Sequence, residues 1–570
     1  MSGCIELGEV LMSHLTMQKL YHGGIVLLLS IVIGLVPILQ LWRTGLVYSG
    51  SDLQFHVNRI DEVANSCSHG QFFNILSFTT SNQLGSSVNM FYPYITLIPA
   101  VIIKLIIHNP VNAYYISLWV YNVSTFLIAY LSFKNLSKSS TTGIWGALLL
   151  SMSMYRLFSL LGTSAFGEFI AIGLLPLVGW GYNRAIIEHK WGTLYVAVTL
   201  IAYTHLLSFC ITVSLLVVIT LVRWLLNARF SFAELLTFIK AGVAMALSWS
   251  PFLIPYLILT KNNHIETPYS TLVFQSLKPF NALLFDYHFS RDLGLILVIA
   301  NILFIVLWKK FSSVDKLIFG GGCLLVFLSS AAFPWSAYTE TFFKSMQFPY
   351  RFLAFAVVIL SYTGGLAIAQ LLKGKQVIYR ITTPMILLFI TVSATFATIN
   401  TYKASVLDHY QLVAKKQDTL AYSPFANYAV NKETFDNQTK NAFITYGGLD
   451  YWTRKASDHR EFFLSDDVHL QKKYLGNRTI QFTLPNTQNR KNVEIPIIYY
   501  SGIKYSVKGD NKPLDYESGK NGGLLVHSKE AGVHRLIVTS HIGWLESILG
   551  LTALLPMIPL ALSKWRHVSQ

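Results

Sequence analysis

Three ionisable side chains in SDLQFHVNRIDEVANSCSHG (51–70) have the types and spacing for group-transfer chemistry: Asp52, His56 and Arg59. At about 100° per residue they fall on one stripe of a helix. An acid, an imidazole and a guanidinium on one face can take a proton from a hydroxyl and hold a phosphate. Leu53, Val57, Ile60 and Ala64 form a second, apolar stripe. Ser51 followed by Gln54 reads as a capping box, and Gly70 as a stop. The expectation is a short helix lying at a membrane surface, apolar side down, with Asp52 kept ionised by the helix dipole. The plainer reading is an ordinary interfacial helix with an acid at its start.

Four further clusters hold polar groups at the edges of apolar runs. GSSVNMFYP (85–93) ends in Tyr92 and Pro93, GTSAFGEF (162–169) carries Glu168, YTHLLSF (203–209) carries His205, and MQFPYRF (346–352) carries Gln347 and Arg351. An ionisable group at a membrane boundary is a functional candidate by default. Each also has a plain alternative: an interfacial tyrosine, a glutamate facing water, a satisfied histidine, an arginine snorkelling to headgroups. Asp61 and Glu62 read as a solvated helix face. Metal-site, phosphate-loop and nucleophile-elbow motifs do not occur in supporting context.

The elements that must position these residues belong to a membrane protein. The 570 residues are 53% hydrophobic and 13% charged, against about 25% charged in ordinary soluble domains. The formal charge of +16 gathers at the ends of apolar runs, as the positive-inside rule and anionic lipid favour, which speaks against a nucleic-acid partner. Apolar runs fall near 21–42, 91–107, 113–133, 141–155, 164–182, 192–204, 206–226, 235–258, 292–308, 315–331, 350–371, 380–400 and 542–562. The runs 141–155 and 192–204 are short and read as half-helices or re-entrant segments. The fold class expected is thus a polytopic α-helical membrane protein of about 12–13 transmembrane segments. Basic connections at 134–140, 183–190, 309–316 and 372–380, with the tail 563–570, are expected inside, which puts 51–70 and 401–541 on the outer face. Residues 401–541 regain charge, Asn and Gly, and β-like runs separated by turns predict a small antiparallel domain, read as a sandwich. The domains are then 1–400, a multi-span part with its first outer loop at 43–90; 401–541, extracytoplasmic and β-rich; and 542–570, a last span with a basic tail.

In this order, SDLQFHVNRI, NMFYPYITLIP, FGEFIAIGLLPL, YTHLLS, MQFPYRFL, VEIPIIYYSGIKYSVKG and GVHRLIVTS resemble the YfhO-like, or 6-pyruvoyl-tetrahydropterin-synthase-related, bacterial membrane proteins. These in turn resemble the GT-C superfamily of glycosyltransferases. The resemblance implies sugar transfer from a polyprenyl-phosphate carrier to a cell-envelope polymer or glycolipid on the outer face of the cell membrane. It implies Asp52 as general base, with Arg59, His205 and Arg351 at the leaving phosphate and Glu168 orienting acceptor or metal. His56, Tyr92 and Gln347 complete the expected substrate-binding set. Many such enzymes pair two acids; here Ser51-Asp52 supplies one, which leaves a divalent cation (Mg or Mn) an open expectation. Two other classes compete: a polysaccharide or lipid-carrier transporter or flippase, and a non-catalytic envelope assembly protein with its β-domain as a docking module.

Overall fold

The structure is a computed structural model of the chain and describes residues 20–71, 76–227, 229–266, 271–286, 288–374, 376–415, 428–433, 435–436, 450–464, 470–484, 491–528 and 533–541. The run 542–562 lies outside them. Every other apolar run of the sequence contains helix. Among the described residues, six helices are long and apolar enough to cross a membrane, or seven with the pair Ser140–Ser151 and Met154–Gly162, which bends by 47°. Leu20–Leu35, Ile95–Ile106, Gly192–Ala202 and Leu295–Val306 are shorter apolar helices.

The elements that position the site are these. Helix α1 spans Leu20–Leu35, α2 Leu53–Ser68, α3 Pro110–Ser137, α4 Ser140–Ser151, α5 Phe166–Ile187 and α6 Leu206–Leu226. After them come α7 Phe232–Asn262, α8 Leu295–Val306, α9 Ser313–Leu328, α10 Phe352–Leu372 and α11 Val377–Lys415, the last running unbroken past residue 400. Their starts follow side-chain chemistry. Asn109 accepts from the Val111 and Asn112 amides with Pro110 in the first turn, and Ser312 with Asp315 closes a capping box on α9.

Helix α2 departs from the surface helix expected. Its apolar stripe is buried, with Leu53 at 1% exposure, but so are His56 and Arg59, both at 2%. Asp61 and Glu62, expected in solvent, are buried as well. Asp61 pairs with Lys104 at 3.0 Å. Glu62 accepts five hydrogen bonds, from the amides of Phe78, Thr79 and Thr80 and the hydroxyls of Thr79 and Thr80, all between 2.7 and 3.1 Å. A buried carboxylate is tolerable only when satisfied in this way. Periodicity could not separate a solvated acid from one caged by a loop ~16 residues downstream.

A seven-stranded antiparallel sheet replaces the expected sandwich. With β1 (Val47–Ser49) and β2 (Tyr428–Val430) forming a separate pair, the strands are β3 Gln471–Gly476, β4 Thr479–Thr483, β5 Asn492–Ile495, β6 Lys504–Gly509, β7 Lys512–Ser518, β8 Leu524–His527 and β9 Arg535–His541. They lie in the order β3-β4-β9-β6-β7-β8-β5. Alternation sends Tyr505, Val507, Leu536 and Val538 to one buried face. That face is covered by the loop after α2 (Leu76, Phe78, Leu84, Met90, Phe91) and by Trp452 and Phe463. A second sheet is unnecessary because the first loop supplies the missing apolar layer.

Candidate functional site

The site begins where two sequence clusters meet. The Gly50 amide donates to Ser164 Oγ at 2.9 Å and the Asp52 amide to Thr163 O at 2.8 Å. A Cβ on Gly50 would lie 2.3 Å from the Thr163 carbonyl carbon, so only glycine lets these backbones approach. This contact brings the start of α2 beside the start of α5, which carries Glu168. The N-cap of α2 is Asp52 rather than Ser51, and its side chain makes no capping bond. Ser51 Oγ instead donates to Asp52 Oδ1 at 2.9 Å.

The electrostatics of Asp52 reverse the expectation of a carboxylate held ionised by the dipole. Burial pushes its carboxyl above the usual value; the Ser51 hydroxyl and the cations Arg351 and Arg291 pull it down, while Glu168 pushes it up. Asp52 is half-buried. Glu168, 9% exposed, accepts from Tyr155 Oη at 2.5 Å, a short bond of the kind a carboxylate forms with a phenol.

Two arginines act on Asp52. Arg351 donates to the Met346 carbonyl and to Gln347 Oε1 at 3.1 Å, and its Nε has no hydrogen-bond partner among the described residues. Gln347 sits in the left-handed region, with φ 66°. Arg291 stacks over Tyr350 at 4.3 Å and lies 5.5 Å from Phe158. It is framed by a polar ladder. Lys278 Nζ donates to Asp286 Oδ2 at 2.9 Å and Ser290 Oγ at 2.7 Å, Ser290 Oγ donates to Asp292 Oδ2 at 2.7 Å, and the Gly294 amide donates to Asp292 Oδ1 at 2.8 Å.

Beneath the acids lies a layer of buried rings. Arg59 donates to Asn89 Oδ1 at 3.0 Å and to the carbonyls of Tyr92 and Pro93 at 2.9 and 2.7 Å, with its guanidinium 4.3 Å from the Tyr92 ring. Its donors are spent on protein, so it holds the 92–93 turn rather than offering itself to a phosphate. His56 packs on Phe55, Tyr92 and Phe166 with centroids 5.1 to 5.8 Å apart, and burial, then Arg59, hold its imidazole neutral. His205 caps α6, its Nδ1 3.3 Å from the Ser208 amide, with its ring 6.0 Å from Tyr92. Tyr92 Oη fills the notch at Gly167, where a Cβ would stand 2.1 Å from it.

Of the residues singled out by sequence, Asp52, Glu168, Arg351 and Tyr92 therefore share one electrostatic field, which also reaches His205 from Arg351. His56, Arg59 and Gln347 pack behind it. Sequence reasoning missed Arg291, Tyr155, Tyr350 and Asp450. Asp450 is pushed up to about 7 by burial and then by Asp52. Arg291 carried the same signal as Arg351, an arginine before an apolar run at the end opposite the basic connections. Asp52 and Glu168 supply two carboxylates, the number a Mg-type cation takes when a substrate phosphate provides further oxygens. Among the described residues no group of three or more His, Cys, Asp or Glu converges.

No family model and no curated protein matches the chain. Among solved structures, the arabinofuranosyltransferase AftD from mycobacteria, determined by single-particle cryo-EM, is similar over 69% of this chain at 12% identity and a TM-score of 0.40. The chain spans 28% of that protein's length.

Proposed function

We propose that this chain is a membrane glycosyltransferase of GT-C type. In this reading it moves a sugar from a polyprenyl-phosphate carrier to a cell-envelope polymer or glycolipid on the outer face of the cell membrane. The observation that carries the reading is Asp52: an acid at a helix start that is not spent on capping, raised by burial, and within the electrostatic reach of two arginines and a second carboxylate. A raised carboxyl is the better base toward a hydroxyl. The sequence resemblance to YfhO-like and GT-C proteins points the same way.

Asp52 would take the proton of the acceptor hydroxyl as its oxygen bonds to the sugar's anomeric carbon. The bond from that carbon to the carrier phosphate breaks, and its electron pair stays on the phosphate. Arg351, whose buried Nε has no hydrogen-bond partner among the described residues, and Arg291 would stabilise that charge. Glu168, fixed by Tyr155, would orient the acceptor. A divalent cation held by Asp52 and Glu168 would add charge neutralisation at the phosphate.

The test is Asp52→Asn in the intact chain, with mass analysis of envelope polymers from a deletion strain complemented by either form. Loss of one sugar modification, with normal membrane expression, is the expected result, a fall of roughly 10²–10⁴-fold in rate. An unchanged polymer would sink the assignment of Asp52. Accumulated lipid-linked sugar, without a change that follows Asp52, would favour transport.

A further inference from the structure

A cavity of about 820 Å³ lies far from the acid cluster. Helix α10 links the two: Arg351 precedes its first residue and Leu372, its last, lines the cavity. Twenty-one residues rise roughly 30 Å, the hydrocarbon thickness of a bilayer. The cavity thus sits at the end of the bundle where the basic connections 134–140, 309–316 and 372–380 gather.

Its walls are mainly apolar, including Phe126, Trp145, Leu148, Leu366 and Leu388, with hydroxyls at Ser137, Ser139, Thr141 and Thr142 and the amide of Gln370. They come from α3, α4, α10 and α11, with α1 contributing Leu29 and Ile33. Only 17% of the apolar stretch within Thr382–Asp408 is buried, against 83% for Pro349–Leu372, so α11 turns most of its apolar surface outward. Among the described residues this opening is wide enough to admit acyl chains. The rim carries Lys310 and Lys373, both exposed. The rim also carries Asp315, which keeps its charge while accepting from the Ser312 hydroxyl and amide in the α9 capping box, so two lysines against one carboxylate leave the rim net positive.

From the apolar depth and the cationic rim we infer that the cavity is the seat of an anionic diacyl phospholipid. Its acyl chains fill the gap between α4, α10 and α11, and its phosphate lies between Lys310 and Lys373. Basic pockets between membrane helices recognise such headgroups by this combination. The site is separate from the proposed transfer chemistry and does not depend on it.

The purified full chain, mixed with equal amounts of phosphatidylglycerol and phosphatidylcholine in mild detergent, would be examined by native mass spectrometry. Phosphatidylglycerol should be retained preferentially. The double variant Lys310→Gln/Lys373→Gln should lose roughly thirtyfold in retention, and Ala369→Trp, which plugs the cavity, should abolish it. Equal retention of the two lipids overturns the inference, as does unchanged phosphatidylglycerol binding in the lysine variant. Those lysines are exposed, so that variant decides the matter even if Ala369→Trp does not fold.

Discussion

Asp52 and Asp292 are both raised by burial, and they should behave differently. Asp52 sits in the field of two arginines and must lose its proton to act as a base. Transfer activity should therefore rise with pH through a single carboxyl titration displaced upward from 3.8, the ordinary value. The pH–rate profile of the purified enzyme checks this; a rate flat from pH 4 to 8 would count against Asp52 as the base. Asp292, at 0% exposure, is pushed up to about 7 by burial. Because its folded value exceeds its unfolded one, the stability it contributes is full below about pH 4 and is lost as pH rises through 7. Thermal stability in detergent should thus fall over that range, by up to about 4 kcal/mol. In Asp292→Asn the slope should be largely gone; a slope equal to the parent's would show that other groups cause it.

At the scale of elements, the site depends on backbones that approach too closely for side chains. The start of α5 packs against the 92–93 turn because Gly167 leaves room for the Tyr92 phenol, which Arg59 holds from the other side. Gly167→Ala should cost about 1–3 kcal/mol through overpacking and displace the neighbouring Glu168. Adding Tyr92→Phe removes the clashing oxygen and should recover part of the loss in melting temperature. No recovery would mean that the strain lies elsewhere in α5. Glu62 ties α2 to the 78–80 loop through five hydrogen bonds, and Phe78 of that loop packs in the core of the sheet domain.

For the whole molecule, the sheet domain is joined to the helical part by polar contacts as well as by shared core. Asn263, at the end of α7, donates to Ser501 O and accepts from the Ser501 amide, both at 2.8 Å. The Ile498 amide donates to Leu84 O at 2.8 Å, and the Ser87 amide to Tyr500 Oη at 3.3 Å. Asn263→Ala should weaken this docking by about 1–3 kcal/mol. Hydrogen exchange should then quicken at residues 498–503 while the amides of α10 stay protected. Uniform quickening would indicate global destabilisation instead.

The sequence by itself determined the apolar helices, the shortness of the runs 141–155 and 192–204, the β-rich region and the local stripes of α2, because each rests on periodicity or composition within a few turns. It also marked Asp52, Glu168 and Arg351 through charges at the ends of apolar runs. Tertiary structure alone decided which stripes are buried. His56 and Arg59 looked like a presented face and became a packed layer, and Glu62 looked solvated and became a loop anchor. It also decided the partners: Gly50 with the 162–164 loop, Arg291 with Tyr350, the first loop with the sheet. Those pairings span tens to hundreds of residues, and neither helical nor strand period carries information over such distances. Whether an ionisable group is a solvated ornament, a structural clamp or a base is set by its desolvation and its neighbours' charges, and both exist only once the chain has folded.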